Sequence, residues 1–241
     1  MTGAPARTLL LGADGGIGRA VRDRLEAHGS YVSGAGQDDV DLAQPGVAAP
    51  FVRAAWADAG GFDALVHCAG LYPAHHALDT SEDVFDRLLA VNARSALMAG
   101  AEFARLCAAD GRSGSMVFVS SGAARRARPG TTAYAASKAA LEAVVRGLAL
   151  ETAPLGVRCN AVAPGFVDVR STLSPVPREY VEAVSAASPQ GRVARAGDIV
   201  PAITWLLSED AAWITGQSIP VDGGDSIGSA TAANWLTSDT S

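Results

Sequence analysis

Tyr134 and Lys138 stand four residues apart in Tyr134-Ala135-Ala136-Ser137-Lys138, near the start of a stretch with helical character. In a helix this spacing stacks phenol and ammonium on one face, one turn apart. A free phenol has a pKa of about 10 and is a poor acid–base catalyst near neutrality. A neighbouring cation favours the phenolate and lowers that value. A fall of roughly three units takes about 4 kcal/mol of differential interaction, a large demand on one lysine. A second positive charge, such as an oxidised nicotinamide, would help to supply it. The bare spacing also fits an exposed Tyr/Lys pair on a helix surface, so the rest of the chain has to decide.

The elements that would position the pair alternate in type. Thr8-Leu9-Leu10-Leu11 is a short apolar run that stops at Gly12, and the turn Gly12-Ala13-Asp14-Gly15-Gly16-Ile17-Gly18 follows. Ile17, Val21 and Leu25 then mark one helical face, with a stop at His28-Gly29. Further strands are expected at Tyr31–Ser33, Ala64–Cys68, Ser115–Val119 and Val157–Val162. Ser218–Val221 is a late candidate whose Pro220 suits a sheet edge. Helices are expected roughly over Ser81–Ala108 with a break near Asn92, over Thr132–Thr152, and over Gly197–Leu207. Strands alternating with helices predict an α/β fold with a parallel sheet covered on both faces. No repeat, linker or composition shift marks a second domain, so residues 1–241 read as one. Asp225–Ser241 reads as a polar tail with Trp235-Leu236 as its anchor.

The 241 residues suffice for an ample core, and 49% hydrophobic against 18% charged residues argues against disorder. The net charge of −6 argues against wholesale binding to nucleic acid or anionic membrane. Cys68, Cys107 and Cys159 have neither metal-ligand nor Cys-x-x-Cys spacing, and no acid or thiol cluster suggests a metal. They read as reduced thiols of a cytoplasmic protein. Met1–Arg7 lacks the apolar stretch of a signal peptide, and no later run is long enough to span a bilayer.

In a strand–turn–helix unit, glycines let the backbone approach a pyrophosphate at the helix N-terminus, where free N–H groups and the dipole favour anions. Gly12-x-x-x-Gly16-Ile17-Gly18 resembles the nucleotide turn of the short-chain dehydrogenase/reductase family. Cys68-Ala69-Gly70 resembles that family's Asn-Ala-Gly after its fourth strand, and Val91-Asn92 its helix asparagine. Ser121 lies thirteen residues before Tyr134, the family's serine spacing. Pro164-Gly165-Phe166-Val167 resembles its nicotinamide loop, and Trp213-Ile214-Thr215-Gly216 with Val221-Asp222-Gly223-Gly224 completes the pattern. The resemblance covers residues 7–225, leaving 226–241 as a C-terminal tail, and is nearest to the 3-oxoacyl-carrier-protein-reductase type. It implies a single-domain, Rossmann-like three-layer fold with a central parallel sheet flanked by helices.

The resemblance also implies roles. Tyr134 would exchange a proton with the substrate oxygen, Lys138 would lower its pKa and hold the nicotinamide ribose, and Ser121 would bond the substrate oxygen. Asn92 would break its helix and position a relay water. Ser120 competes with Ser121 on everything but spacing. The cofactor-binding set would comprise Gly12, Asp14, Gly15, Gly16, Ile17, Gly18, Gln37, the adenine-contacting pair Asp41-Leu42, Cys68, Ala69, Gly70, Asn92, Tyr134, Lys138, Pro164, Gly165 and Val167. The cofactor is NAD(H) or NADP(H). Gly36-Gln37-Asp38-Asp39 holds no base, and Asp38 stands about twenty residues past Gly18, as a ribose ligand does, which leans to NAD. Both aspartates also suit a turn.

Three positions depart from the family pattern: Leu11 and Cys68 replace polar residues, and Val169 replaces a threonine that bonds the carboxamide. An apolar Leu11/Cys68 contact is the expected substitute for a lost hydrogen bond. Arg125, Arg126, Arg128, His75 and His76 lie where a substrate mouth would be. The arginines read as ligands for an acidic substrate or a carrier protein's phosphopantetheine arm, or as solvated loop charge or a subunit contact. The histidines read as pocket-facing, or as structural or solvated residues. Asp168–Gln190 reads as a substrate cover with a short helix near Tyr180–Val184, after breaks at Pro175 and Pro177.

The expected function is hydride transfer between a nicotinamide and a ketone or secondary alcohol, by a homotetramer. A catalytically silent nucleotide-binding regulator or scaffold on the same fold is the alternative. A lyase or dehalogenase is disfavoured by the intact glycine turn.

Overall fold

Leu9, Leu10 and Leu11 are all fully buried, so the first strand, β1 (Arg7–Leu11), is covered on both faces. The computed structural model describes residues 5–169 and 176–228. Along the chain, α1 (Gly16–Glu26), β2 (Tyr31–Ala35), α2 (Ala48–Ala59), β3 (Ala64–His67), α3 (Glu82–Leu89) and α4 (Ser95–Ala109) follow β1. Then come β4 (Gly114–Val119), α5 (Thr132–Thr152), β5 (Val157–Pro164), β6 (Val167–Asp168), α6 (Arg178–Ala187), β7 (Ala194–Arg195), α7 (Ala196–Leu207) and β8 (Ser218–Val221). Six strands form a parallel sheet in the order β2-β1-β3-β4-β5-β8, and β6 pairs with β7 apart from it.

The two faces bury separate cores. Leu9, Leu11, Leu65, Met116 and Phe118 pack on α2, α4 and α5, where Trp56 meets Phe103 edge-on at 5.6 Å. Leu10, Val66, Val117 and Val162 pack on α1 and α7 through Val21, Leu25, Ile199 and Ile203. Alternate residues of one strand thus serve opposite layers, which explains the unbroken apolar runs.

α5 spans the expected range, and β8 lies at a sheet edge, where Pro220 does not interrupt a ladder on its outer side. The break near Asn92 is a π-helical turn over Ala90–Arg94 between α3 and α4. Helix α2 and the β6/β7 pair lie outside the expected elements. Pro50 sits in the first turn of α2, where its missing N–H costs nothing. Cys68-Ala69-Gly70 follows the third strand, as the apolar runs led one to expect, where the family pattern has it after the fourth. Residues 36–47 form only turns, too short a stretch for a further strand with its own helical crossover. Trp235-Leu236 and Pro175 lie outside the described residues.

Gly12 has φ +80, and a Cβ there would overlap the Ala69 backbone; a Cβ at Gly18 would overlap the Gly12 carbonyl. These two glycines let the turn close against β3 and α1. Gly147, inside α5, has nothing near its Cβ position. Urea unfolding should therefore show Gly18→Ala destabilised by roughly 2 kcal/mol or more, while Gly147→Ala gains about 0.5–1 kcal/mol. Equal effects of the two changes would contradict this packing.

Candidate functional site

The helical stacking of Tyr134 and Lys138 is realised on the first turns of α5, with Lys138 Nζ 5.9 Å from the Tyr134 ring centroid. Lys138 is buried, and its ammonium donates to the Val119 carbonyl at the end of β4 at 2.8 Å. Burial pushes its pKa down from 10.5 to about 8. A Cβ at Gly70 would lie 3.3 Å from both Lys138 Nζ and Asn92 Oδ1, so the glycine keeps the space between them open.

The Tyr134 phenol is pushed up to about 12, chiefly by burial; its hydrogen bond with Ser121 acts against this, and nearby Tyr72 adds to it. The expected lowering by Lys138 is not observed in the protein alone. Desolvation outweighs the lysine, and lowering the phenol toward neutrality would take a second positive charge.

Ser121 and Ser120 are separated by their orientation. Ser121 sits in extended backbone after β4, bonds the Tyr134 phenol and accepts from Ala123 N. Ser120 turns inward to Glu142 Oε1 at 3.2 Å. Glu142 is buried and also accepts from Ser218 Oγ (2.7 Å) and Arg125 Nε (3.1 Å). Asn92 is fully buried in the π turn. Its Oδ1 accepts from Leu71 N at 2.8 Å, and its Nδ2 donates to Leu71 O and Ser137 Oγ at 3.0 and 2.9 Å. The asparagine therefore ties the loop after β3 to α5, with Ser137 in turn donating to Tyr134 O.

Helix α1 begins at Gly15 and Gly16 without a side-chain cap, so its first N–H groups are left for a ligand. That bare turn at the C-terminal ends of parallel strands fits a dinucleotide's pyrophosphate, which Gly12, Gly15, Gly16, Ile17 and Gly18 would cradle. The other expected contacts surround it unevenly. Ala69 follows Cys68, and Cys68 N donates to Leu11 O at 2.8 Å. The expected Leu11/Cys68 side-chain contact does not form. Leu11 belongs to the α2/α4/α5 core, and Cys68 packs toward α1 and α7. Leu11 instead pairs in register with His67.

Leu42 is buried in the core, and Asp41 accepts from Ala43 N and Gln44 Nε2, so both shape the turn that follows β2. Gln37 is exposed. Gly165, after Pro164, donates its N–H to Val221 O, and Val167 lies in β6 beside Ala194. Val169 reaches the nucleotide turn, with its Cβ 2.7 Å from where a Gly16 Cβ would be.

The loop cations are engaged. Arg125 pairs with Glu142, and Arg126 and Arg128 both bind Asp225, pinning the loop between Ser121 and Tyr134 to the turn after β8. His75 and His76 are exposed, and His75 N donates to Gly130 O. Helix α6 falls within the segment read as a cover, of which residues 170–175 lie outside the described residues, and its Tyr180 meets Phe166 edge-on at 5.6 Å. No metal-binding group of three or more ligands occurs among the described residues, and no helix there is long and apolar enough to cross a membrane.

A family model described as enoyl-(acyl carrier protein) reductase matches residues 38–226. The (3R)-3-hydroxyacyl-CoA dehydrogenase of Canis lupus familiaris is 32% identical, over 91% of this chain and 95% of its own. The chain belongs to the short-chain dehydrogenase/reductase family. L-rhamnose 1-dehydrogenase (NAD(P)(+)) of a Sphingomonas species is also 32% identical, over 90% of this chain and 94% of its own. Ligand-free aldohexose dehydrogenase of Thermoplasma acidophilum superimposes with a TM-score of 0.86 at 25% identity, covering 95% and 96% of the two chains. This member of the family is an NAD(P)-dependent oxidoreductase.

Four residues at the site escape the sequence reading. Tyr72 meets the Tyr134 ring edge-on at 4.6 Å, and only its position two residues after Gly70 hints at this. Ser137 and Glu142 lie on α5 one turn from Tyr134 and Lys138, but nothing local marks them as buried. His67 is buried against Phe118, with Nε2 2.9 Å from Ser95 Oγ and Nδ1 unpartnered. Burial first, and then Lys138, hold its pKa down to about 3, so it is neutral.

Lys138 has a folded pKa below its unfolded value, so below pH 8 it is charged in both states and its burial costs stability. As pH rises from about 8 toward 10.5 the folded state loses the proton first, and that cost disappears. The stability of Lys138→Met relative to wild type should therefore fall across this window, by up to about 3 kcal/mol. Parallel pH–stability curves for the two proteins would contradict the buried charge.

Proposed function

We propose that Tyr134 is the general acid and base of a hydride-transfer site acting on a ketone or secondary alcohol, with NAD(H) as the preferred cofactor. The observation that carries this reading is the Ser121–Tyr134 hydrogen bond set directly above a buried Lys138. A bound nicotinamide would supply or accept the hydride. Tyr134 would deliver its proton to the substrate oxygen as charge develops there, or remove one in reverse. Ser121 would hold that oxygen and stabilise its charge. Lys138 would hold ribose hydroxyls and keep positive charge beside the phenol. Asn92 would fix the loop around Gly70 and position a relay water. Cys68, Ala69 and Gly70 would border the cofactor, with Pro164, Gly165 and Val167 on the opposite side.

Tyr72 offers an aromatic edge beside the phenol, and Phe166 and Tyr180 pair edge-on in the segment after β5, which suits a moderately apolar carbonyl compound. The engaged Arg125, Arg126 and Arg128 favour a structural role for the loop charge over binding of an acidic carrier arm. Residues 7–225 would act as one domain with 226–241 as its tail. Three free cysteines suit a reducing cytoplasm.

With NADH and a panel of ketones, Tyr134→Phe should lower kcat by about 100-fold to 10,000-fold while cofactor binding is kept. Unchanged turnover in this variant would remove the tyrosine from the mechanism. Assembly as a homotetramer would bury the apolar side chains left outside on the two long helices, including Leu97, Met98 and Leu150, and the fully exposed Trp213. Light scattering should give four times the 24.5 kDa chain mass. A monomeric mass at micromolar concentration would reject that assembly.

A further inference from the structure

In a dinucleotide site an acidic side chain at the end of the second strand accepts from the adenosine ribose hydroxyls and repels a 2′-phosphate. Here that strand ends without one. Residues 34–36 read Gly34-Ala35-Gly36, and Gly36 is buried at the C-terminal end of β2. Asp14 reaches over it from the nucleotide turn. A Cβ added at Gly36 would lie 2.6 Å from Asp14 Cγ and would overlap Oδ2. The missing side chain at position 36 and the carboxylate of Asp14 therefore occupy one place. Asp14 itself is exposed, so a ligand at the nucleotide turn can reach it where it rests on the glycine.

The neighbouring acids are differently placed. Asp39 curls back to accept from Gly36 N at 2.7 Å, and Asp41 is bonded to Ala43 and Gln44. Asp38 is exposed beyond the turn. One cation of the region, Arg22, lies over Gly34, where a Cβ would be 2.9 Å from its Cζ. Gly34 and Gly36 share one face of β2, so Arg22 sits about 7 Å further from the strand end where dinucleotides bind. No ion pair joins Arg22 to Asp14, and Arg22 Nε is buried without a partner.

We propose that Asp14, seated on Gly36, is the group that accepts the adenosine ribose hydroxyls and excludes a 2′-phosphate, making the nucleotide turn rather than the β2 end the determinant of NAD over NADP. The proposal rests on the reading of the protein as a nicotinamide-dependent oxidoreductase. The shortened stretch after β2 gives it a physical setting. With residues 36–47 drawn into tight turns, the carboxylate is supplied from the strand-crossing partner instead.

Calorimetric titration of the free protein with NADH and NADPH, without substrate, tests this. Wild type should bind NADH at least about tenfold more tightly than NADPH, from charge repulsion at the 2′-phosphate. Asp14→Asn should bring the two affinities within about threefold by weakening NADH and strengthening NADPH. The double change Asp14→Gly/Gly36→Asp should restore the NADH preference by putting the carboxylate back on β2. Asp38→Asn and Arg22→Gln should leave the preference unchanged. A wild-type preference for NADPH, an Asp14→Asn variant with an unaltered ratio, or a preference that moves with Asp38 or Arg22 instead would overturn the assignment. Binding of neither dinucleotide would overturn the oxidoreductase reading and this proposal with it, and is distinct from binding with an unmoved ratio.

Discussion

An ammonium group held out of water beside a phenol is the constraint on which this site depends. Lys138 has one fixed partner, the Val119 carbonyl, and a neutral cavity edge at Gly70. A buried cation with a single carbonyl partner is costly on its own, and its pKa is pulled down accordingly. The surrounding structure pays for it: β4 must end at Val119, α5 must begin close by, and the loop after β3 must present a glycine. Asn92 secures the last of these through three hydrogen bonds, and the π turn aims it. Burial acts on the phenol in the opposite sense, raising its pKa and holding it neutral.

Much of this was legible in the sequence because it depends on local spacing. The i, i+4 relation of Tyr134 and Lys138, the glycine turn after an apolar run, and the helix break at Asn92 are all properties of short segments. The alternation of buried runs with amphipathic helices likewise sufficed for the parallel, doubly covered sheet. Ser121 against Ser120 is a subtler case. Adjacent residues of an extended chain face opposite ways, so the spacing to Tyr134 selects one face, and the structure turns Ser120 to Glu142.

What was not legible depends on contacts between distant segments. Whether Leu11 touches Cys68 depends on strand register, and one residue of offset sends the two side chains to opposite layers. The Asp14 carboxylate over Gly36 joins two loops that are separate in sequence. The arginines between Ser121 and Tyr134 read as free loop charge until Glu142 and Asp225, far along the chain, are brought beside them. The upward shift of Tyr134 was hidden for the same reason, since desolvation is a sum over everything packed around the phenol and not a property of its nearest cation.

In the proposed mechanism Lys138 prepares, but does not by itself complete, the activation of Tyr134. Ultraviolet difference titration of the phenolate band, using Tyr134→Phe as the blank, measures this directly. In the protein alone the phenol should titrate near 12, and with oxidised nicotinamide cofactor bound its midpoint should fall by roughly three units or more. The same midpoint with and without the cofactor would contradict the account.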